Sequence, residues 1–184
     1  MKLIGLCGKI GAGKDTVADY LVRKHDFQKI VISDVIKNEL EHLGRAVNRE
    51  EMQNLGNEYR EKYGLDVWAK ACTTYAKKKG MRRVVISGIR TSAEIAFYRE
   101  HLKNDFVLVA VKANKQKRFD RLLKRSSEKD FDSKDEIESQ ESREEELWDL
   151  YGKFEEVADY TIENNGSMVE LFARVEEFLK KYKF

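Results

Sequence analysis

One loop decides the fold of this 184-residue chain: Gly8-Lys9-Ile10-Gly11-Ala12-Gly13-Lys14-Asp15-Thr16. It follows an apolar run at residues 3–7 and precedes an amphipathic segment at residues 16–24, so it joins a predicted strand to a predicted helix. Glycines allow such a loop to surround phosphate groups with backbone N–H groups, and the helix N-terminus adds positive charge. Lys14 is placed to reach the terminal phosphates. The stretch therefore predicts a loop that binds nucleotide phosphates.

Outward from this loop, short apolar runs alternate with longer amphipathic segments, which is typical of βα units around a parallel sheet. The strand candidates are residues 3–7, 29–32, 83–86, 106–111 and 160–163. About fifty residues with helical patterning separate the second strand from the third, far more than one crossover helix needs. A second excess of helical residues lies between the fourth and fifth strands. The fold class expected is α/β with helical inserts.

Composition narrows the classes of function. Lys and Arg number 35 against 33 Asp and Glu, and the formal charge of +2 is too small for a dedicated nucleic-acid or membrane-surface binder. Two cysteines, Cys7 and Cys72, form neither a disulfide framework nor a Cys/His zinc pattern. The sequence shows no long apolar run and no signal-peptide pattern. We expect a cytoplasmic protein of one domain that binds neither membranes nor nucleic acids.

The segment from Gly8 to Leu21 resembles the nucleotide-binding loop of small P-loop kinases of the nucleoside-monophosphate-kinase type. Its Gly-Lys-Asp-Thr form is similar to deoxynucleoside monophosphate kinases and the animal-type phosphomevalonate kinase, and its Gly-x-Ile-Gly-x-Gly-Lys form to dephospho-CoA kinases. Later motifs resemble small archaeal adenylate-kinase-related kinases, so the resemblance covers nearly the whole chain. It implies a three-layer P-loop kinase fold with a parallel five-stranded sheet, and ATP and Mg²⁺ as cofactors.

The resemblance assigns the loop to ATP and leaves the metal ligand open. The residues implied to bind ATP are Gly8, Lys9, Ile10, Gly11, Ala12, Gly13, Lys14, Asp15 and Thr16. The standard loop has Ser or Thr directly after the lysine to hold Mg²⁺, whereas Asp15 occupies that position here and the hydroxyl follows at Thr16. Asp15 could bind the ion directly or through water. Both Asp15 and Thr16 are therefore candidate metal ligands.

Three residues are candidates for binding the acceptor: Asp34, Arg60 and Arg90. Asp34 corresponds by resemblance to an aspartate that begins the acceptor-binding region, where a carboxylate can orient a hydroxyl or act as a general base; it is equally suited to be a helix N-cap. Arg90 follows a predicted buried strand and matches an arginine that grips the acceptor phosphate, with a surface arginine as the alternative. Ser87 stands where many relatives carry an acidic residue. Arg60 resembles an arginine of the acceptor-side helix, although it can also form ordinary helix pairs.

Arg118, Arg121 and Arg125 follow the fourth predicted strand at helical spacing, so one helix face can present all three. The segment resembles the lid entry of nucleotide kinases, which implies that Arg121 and Arg125 contact ATP and the transferring phosphoryl group. The alternative for each is an exposed basic helix face that pairs with nearby acids. The candidate catalytic residues are Lys14, Asp34, Arg121 and Arg125.

These observations predict a single P-loop kinase domain over residues 1–184. Its expected parts are a core at residues 1–33, 81–113 and 155–184, an acceptor-binding flap at 34–80 and a lid at 114–154. The arginines favour transfer of the γ-phosphoryl group of ATP to a small phosphorylated acceptor, a nucleoside or deoxynucleoside monophosphate, with dephospho-CoA as the alternative acceptor. A nucleotide-dependent switch or assembly ATPase with a macromolecular partner is the alternative of another class. The sequence leaves the oligomeric state open.

Overall fold

A computed structural model of the chain describes residues 1–124, 131 and 133–184. Its helices and strands, in chain order, are β1 (Lys2–Cys7), α1 (Lys14–His25), β2 (Gln28–Val31), α2 (Ile32–His42), α3 (Arg49–Tyr63), α4 (Val67–Lys78), β3 (Arg83–Ser87), α5 (Ser92–Leu102), β4 (Phe106–Lys112), α6 (Lys115–Lys124), α7 (Lys134–Leu147), α8 (Phe154–Val157), β5 (Tyr160–Glu163) and α9 (Met168–Tyr182). Helices α2 to α4 lie between β2 and β3, and α6 to α8 lie between β4 and β5. Helices α2 to α4 fall mainly in the segment assigned above to the flap, and α6 and α7 in the segment assigned to the lid, whereas α8 falls almost entirely in the core segment that begins at residue 155. That division stays a prediction.

The strands form one parallel sheet in the order β2-β3-β1-β4-β5. This confirms the predicted α/β fold with a parallel five-stranded sheet. Strand β1 lies at the centre, and Leu3, Leu6 and Cys7 on it are fully buried. The second strand lies one residue earlier than predicted, because Ile32 already begins α2. A buried apolar residue suits the end of a strand and the first turn of a helix equally well, so the pattern could not separate them.

The alternation of side chains along β1 divides the core between the two faces of the sheet. Leu3 and Cys7 face the cluster that includes α2, α4 and α5, whereas Ile4 and Leu6 face the cluster that includes α1 and α9. Helices therefore cover both faces, which gives three layers. The carboxyl ends of the strands remain as the edge where such sheets bind ligands.

A buried carboxylate, that of Glu94, fixes the start of α5. Glu94 is fully buried, and with Thr91 it forms a capping box. Its carboxylate accepts a hydrogen bond from the backbone N–H of Arg90 at 2.8 Å. It also lies 3.4 Å from Nη2 of Arg60, which is buried on α3. Glu94 therefore ties the backbone that follows β3 to a helix of the preceding insert.

We expect Glu94→Ala to lower the free energy of unfolding by about 3–5 kcal/mol, because it leaves the Arg60 guanidinium buried without its carboxylate. Glu170 offers a matched control, since it occupies the same capping-box position in α9 but is exposed. Glu170→Ala should cost several times less. Urea denaturation of both variants measures the difference, and equal losses would show that the pair with Arg60 adds nothing to the cap.

Candidate phosphate-binding site

The predicted phosphate loop joins β1 to α1 at the carboxyl end of the central strand. Gly8 has a φ of 136°, and a Cβ there would overlap the carbonyl oxygen of Val111 on β4. Gly13 is the N-cap of α1 with a φ of 100°, and a Cβ there would overlap the side-chain amide of Asn164. Within the described residues no side chain caps α1. Its first N–H groups are therefore left for an anion.

Lys14, the first residue of α1, folds back over this loop. Its Nζ donates hydrogen bonds to the carbonyl oxygens of Gly8 at 2.7 Å and Lys9 at 3.0 Å. Burial lowers the pKa of Lys14 from 10.5 to about 8; the negative charge of Glu144 opposes this shift and the positive charge of Arg90 adds to it. Because a phosphate oxygen would offer a full negative charge in place of neutral carbonyls, Lys14 is suited to bind an anion.

A cavity of about 540 Å³ lies beside the loop, lined also by residues of the α2–α3 segment and of α7. This volume is ordinary for a small-molecule site. The charged residues that line it are Lys14, Asp15, Lys37, Arg49, Arg90 and Glu144. Cations outnumber carboxylates in the described lining, so the cavity suits an anionic ligand. Its other polar side chains are those of Ser33, Asn48, Gln53, Ser87 and Gln140.

Arg90 reaches the cavity from the loop that follows β3. Its guanidinium carbon lies 3.9 Å from the centre of the Trp148 ring, and its backbone N–H is held by Glu94. Stacking on the ring orients the guanidinium plane and leaves its N–H groups available to a planar pair of phosphate oxygens. The structure thus brings Arg90 and Lys14 to one cavity. Contact between Arg90 and an acceptor phosphate stays a prediction.

Arg121 supports the loop through Asn164, which follows β5. The Arg121 Nη2 donates to the backbone oxygen of Asn164 at 2.8 Å and to its Oδ1 at 3.2 Å. The Asn164 amide in turn donates to the carbonyl oxygen of Ala12 at 2.8 Å. Arg121 does not line the cavity. A contact between Arg121 and ATP stays a prediction. In the structure the Arg121 guanidinium contacts Asn164, outside the cavity lining.

Arg118 connects the loop to α7. This buried side chain donates to the carbonyl oxygen of Ile10 at 3.0 Å and pairs with the Glu141 carboxylate. Arg118 therefore links two walls of the cavity. The resemblance had favoured Arg121 and Arg125 over Arg118, and helical spacing alone did not distinguish the three. Arg125 lies outside the described residues.

The structure does not bring Asp34 to the cavity. Helix α2 begins at Ile32 with Val31 as its N-cap, so Asp34 lies inside the first turn and is not the cap. Ile32 and Ile36 are buried, and Asp34, two residues from each, occupies the opposite, exposed face. Ser33 lines the cavity instead. A role for Asp34 in orienting an acceptor stays a prediction that this arrangement does not support.

Arg60 is also placed away from the cavity. Its guanidinium donates to the carbonyl oxygen of Gly56 at 3.3 Å and to the Glu94 carboxylate at 3.4 Å. The side chain is 6% exposed and is absent from the cavity lining. The pair with Glu94 accounts for this position, because a buried guanidinium is held by the nearest buried carboxylate. An acceptor contact by Arg60 stays a prediction without support from this geometry.

Two carboxylates of the described cavity lining, Asp15 and Glu144, are the groups that could hold a metal ion. Asp15 is 53% exposed, and its Oδ1 lies 3.2 Å from Nζ of Lys29. Thr16, the other candidate ligand, does not line the cavity. In the part of the chain that the structure describes, no three His, Cys, Asp or Glu side chains form a cage. The two carboxylates of the lining match the one or two that Mg²⁺ usually takes together with substrate phosphates.

Three residues that were not among the predicted site residues line the cavity from α7 and the position after it: Gln140, Glu144 and Trp148. They recur every four residues and therefore share one face. All three are buried, and Glu144 is 4% exposed. The spacing itself was the available signal, because Trp148 marks a buried face in a segment that otherwise consists mostly of charged residues.

Comparison with known proteins identifies the family of the chain. A family model described as an AAA domain matches residues 4–149. A UPF0200 protein of Methanoregula boonei is 31% identical over 180 residues, which cover 97% of this chain and 96% of that relative. The chain belongs to the AAA domain family and to UPF0200. A UPF0200/UPF0201 protein of Archaeoglobus fulgidus is 32% identical over 183 residues, or 98% of this chain, which spans only 56% of that relative's length.

Solved structures similar to this UPF0200 member share its fold. A shikimate kinase from Bacteroides thetaiotaomicron matches with a TM-score of 0.60 and 17% identity, covering 100% of this chain and 99% of that one. A gluconokinase from Sinorhizobium meliloti matches with a TM-score of 0.56 and 13% identity, covering 100% and 96%. The fold is therefore that of P-loop kinases. Among the described residues, no helix combines the length and the apolar character that crossing a membrane requires.

ATP binding should depend on pH through Lys14. In the free protein its pKa is about 8, and a bound phosphate would raise that pKa by stabilising the charged form. As pH rises through 8, binding should therefore weaken and take up a proton. Calorimetry at about pH 8.5 in two buffers of different ionisation enthalpy measures this uptake. Lys14→Arg, which keeps its proton, should abolish it. Affinity that does not change across this pH range would contradict the assignment.

Proposed function

We propose that this chain transfers the γ-phosphoryl group of ATP, with Mg²⁺, to a small phosphorylated acceptor, most favourably a nucleoside or deoxynucleoside monophosphate. One observation carries the proposal: Lys14 of the phosphate loop and Arg90 after β3 line the same cavity. They are close enough for the charge of Arg90 to lower the pKa of Lys14. Two cations that repel each other in one cavity are neutralised by two phosphate groups, one from ATP and one from the acceptor.

Phosphoryl transfer needs positioning and charge neutralisation more than covalent chemistry from the protein. The N–H groups at the start of α1 and the Lys14 ammonium would hold the phosphates of ATP. The Arg90 guanidinium, oriented by its stack on Trp148, would hold the acceptor phosphate in line with them. When bound, Mg²⁺ neutralises charge on the phosphate oxygens, and Asp15 lines the cavity where it can hold the ion.

The walls of the cavity support an acceptor with both apolar and hydrogen-bonding surface. The side that α2, α3 and their connection provide has apolar side chains, Ile36, Val47 and Met52, beside the amides of Asn48 and Gln53. A nucleobase presents this combination of an apolar face and a polar edge. Residues 34–80 would then form the acceptor flap and residues 114–154 the lid. Their closure would exclude water, so that hydrolysis does not compete with transfer.

Two other functions remain candidates beside this one. Dephospho-CoA also carries a phosphate and a base, so it fits the same combination of cations, apolar groups and amides. The AAA domain match favours a second class, a nucleotide-dependent switch or assembly ATPase that acts on a macromolecular partner.

Two features support a cytoplasmic location for the protein. The proposed phosphoryl donor is ATP, and the cysteines Cys7 and Cys72 are buried and form no disulfide.

We expect ADP release to require one of the small acceptors in a coupled assay over nucleoside monophosphates, deoxynucleoside monophosphates and dephospho-CoA. Lys14→Ala should lower kcat about 100-fold or more, because it removes a charge that stabilises the transition state. Lys24→Ala changes an exposed lysine of the same helix and should leave kcat unaltered. Rapid ADP release without any acceptor would support the ATPase class instead. Near-normal turnover by folded Lys14→Ala protein would refute the catalytic role of the loop.

Arg90→Lys separates acceptor binding from ATP binding. The variant keeps the positive charge but loses the planar guanidinium, so KM for the acceptor should rise while ATP affinity stays nearly constant. Arg99→Lys is a control on the neighbouring helix, because Arg99 is half-exposed and pairs with Asp159. Steady-state kinetics with each substrate varied in turn decides the matter. Equal weakening for both substrates, or for neither, would count against the acceptor contact.

A further inference from the structure

Glu144 is a buried carboxylate in the cavity that the proposed transfer reaction does not yet use. It lies on α7, is 4% exposed and lines the cavity together with Lys14 and Arg90. Its Oε1 accepts a hydrogen bond from the Gln140 amide at 3.2 Å. Its charge acts on Lys14 more strongly than any other charge does. Glu144 is therefore close to the place where the terminal phosphates of a nucleotide would lie.

A carboxylate at this place needs a cation between itself and the phosphates. Like charges in a water-poor cavity repel strongly, and burying an unpaired carboxylate is costly. The described hydrogen-bond partner of Glu144 is a neutral amide, and no described Lys or Arg forms an ion pair with it. Once Lys14 turns to the phosphates, a divalent cation between Glu144 and the phosphate oxygens would offset the repulsion between these like charges.

The remaining positions around the loop offer few other carboxylates. Ser87, at the carboxyl end of β3, lines the cavity with a neutral hydroxyl. Asp15 is more than half exposed and is shared with Lys29. Of the described lining residues, only Asp15 and Glu144 are acidic. Mg²⁺ sites on nucleotide phosphates usually use one or two carboxylates, which is the number present here.

We propose that Glu144 is, with Asp15, an acidic ligand of the divalent cation that accompanies ATP, either directly or through a bound water. This inference rests on the proposed function for the identity of the nucleotide. Asp15 belongs to the helix that follows the phosphate loop and Glu144 to α7. The cation would therefore be held jointly by the loop side and the α7 side of the cavity, and its binding would draw these two sides together.

The test compares Glu144→Gln with Glu145→Gln. The first variant removes the charge at nearly constant size, and the second makes the same change at the adjacent, exposed position. The probe is Mn²⁺ with the β,γ-imido analogue of ATP, and the free Mn²⁺ signal in electron paramagnetic resonance gives the affinity without any turnover. Glu144→Gln should bind Mn²⁺ about 10-fold or more weakly, whereas Glu145→Gln should match the wild type. Affinity for the nucleotide in EDTA should not fall in either variant.

Three results would overturn the assignment. Unchanged Mn²⁺ affinity in Glu144→Gln would do so directly. Lost turnover with a shifted pH profile but full Mn²⁺ affinity would show that Glu144 acts on the acceptor. If Glu144→Gln binds the nucleotide more tightly than the wild type, and by the same factor with and without metal, then Glu144 only occupies the position that a phosphate group would take. If Glu144→Gln does not fold, Glu144→Asp decides the matter, because a shorter carboxylate should still weaken Mn²⁺ binding measurably.

The Mn²⁺ measurement is independent of the acceptor assay. Wild-type protein that binds Mn²⁺ with the nucleotide but transfers nothing to any acceptor would refute the proposed function and leave the role of Glu144 standing. Protein that transfers phosphoryl groups while Glu144→Gln keeps full Mn²⁺ affinity would refute only the role of Glu144.

Discussion

The phosphate loop depends on distant side chains that hold its carbonyl oxygens on the side away from the ligand. Asn164, which follows the last strand, donates to the carbonyl oxygen of Ala12, and Arg118, from the helix after β4, donates to that of Ile10. A loop whose carbonyls are occupied in this way keeps its N–H groups free to face an anion. The sheet order places β1 beside β4, and β4 beside β5, so these partners come together only when the sheet is complete. Phosphate binding is therefore a property of the whole fold.

The charges of the cavity are arranged around Lys14. Burial lowers the pKa of Lys14, and the positive charge of Arg90 lowers it further, so a negatively charged group beside Lys14 is favourable. Glu144 supplies part of that charge from α7. An anionic ligand would supply the rest and would compete with Glu144 for the same lysine. This competition links nucleotide binding to the position of α7. Glu144 shares a helix face with Trp148, and the Arg90 guanidinium stacks on the Trp148 ring.

The sequence alone was sufficient to predict those features for which the local residue pattern and the tertiary structure agree. The apolar strands, the glycine loop and Arg90 after β3 could all be predicted, because a parallel sheet aligns the ends of its strands. Asp34 lies on the exposed face because the helix begins at Ile32, and its role toward an acceptor stays a prediction. Arg60 was ambiguous until its buried partner Glu94 was known. The four-residue spacing from Trp148 could have marked Glu144 as the buried glutamate, but only the packing of α7 places that carboxylate in the cavity beside the phosphate loop.

The two tryptophans of the chain lie in different inserts. Trp68 stacks on Tyr59 among the helices between β2 and β3, and Trp148 lies under the Arg90 guanidinium just after α7. Indole emission responds to a cation over the ring and to the polarity around it. With one tryptophan replaced by phenylalanine, the fluorescence of the other would report on one insert alone. The protein thus contains an intrinsic optical probe for each insert, so the order in which the two inserts respond to ligands can be followed in real time without a label.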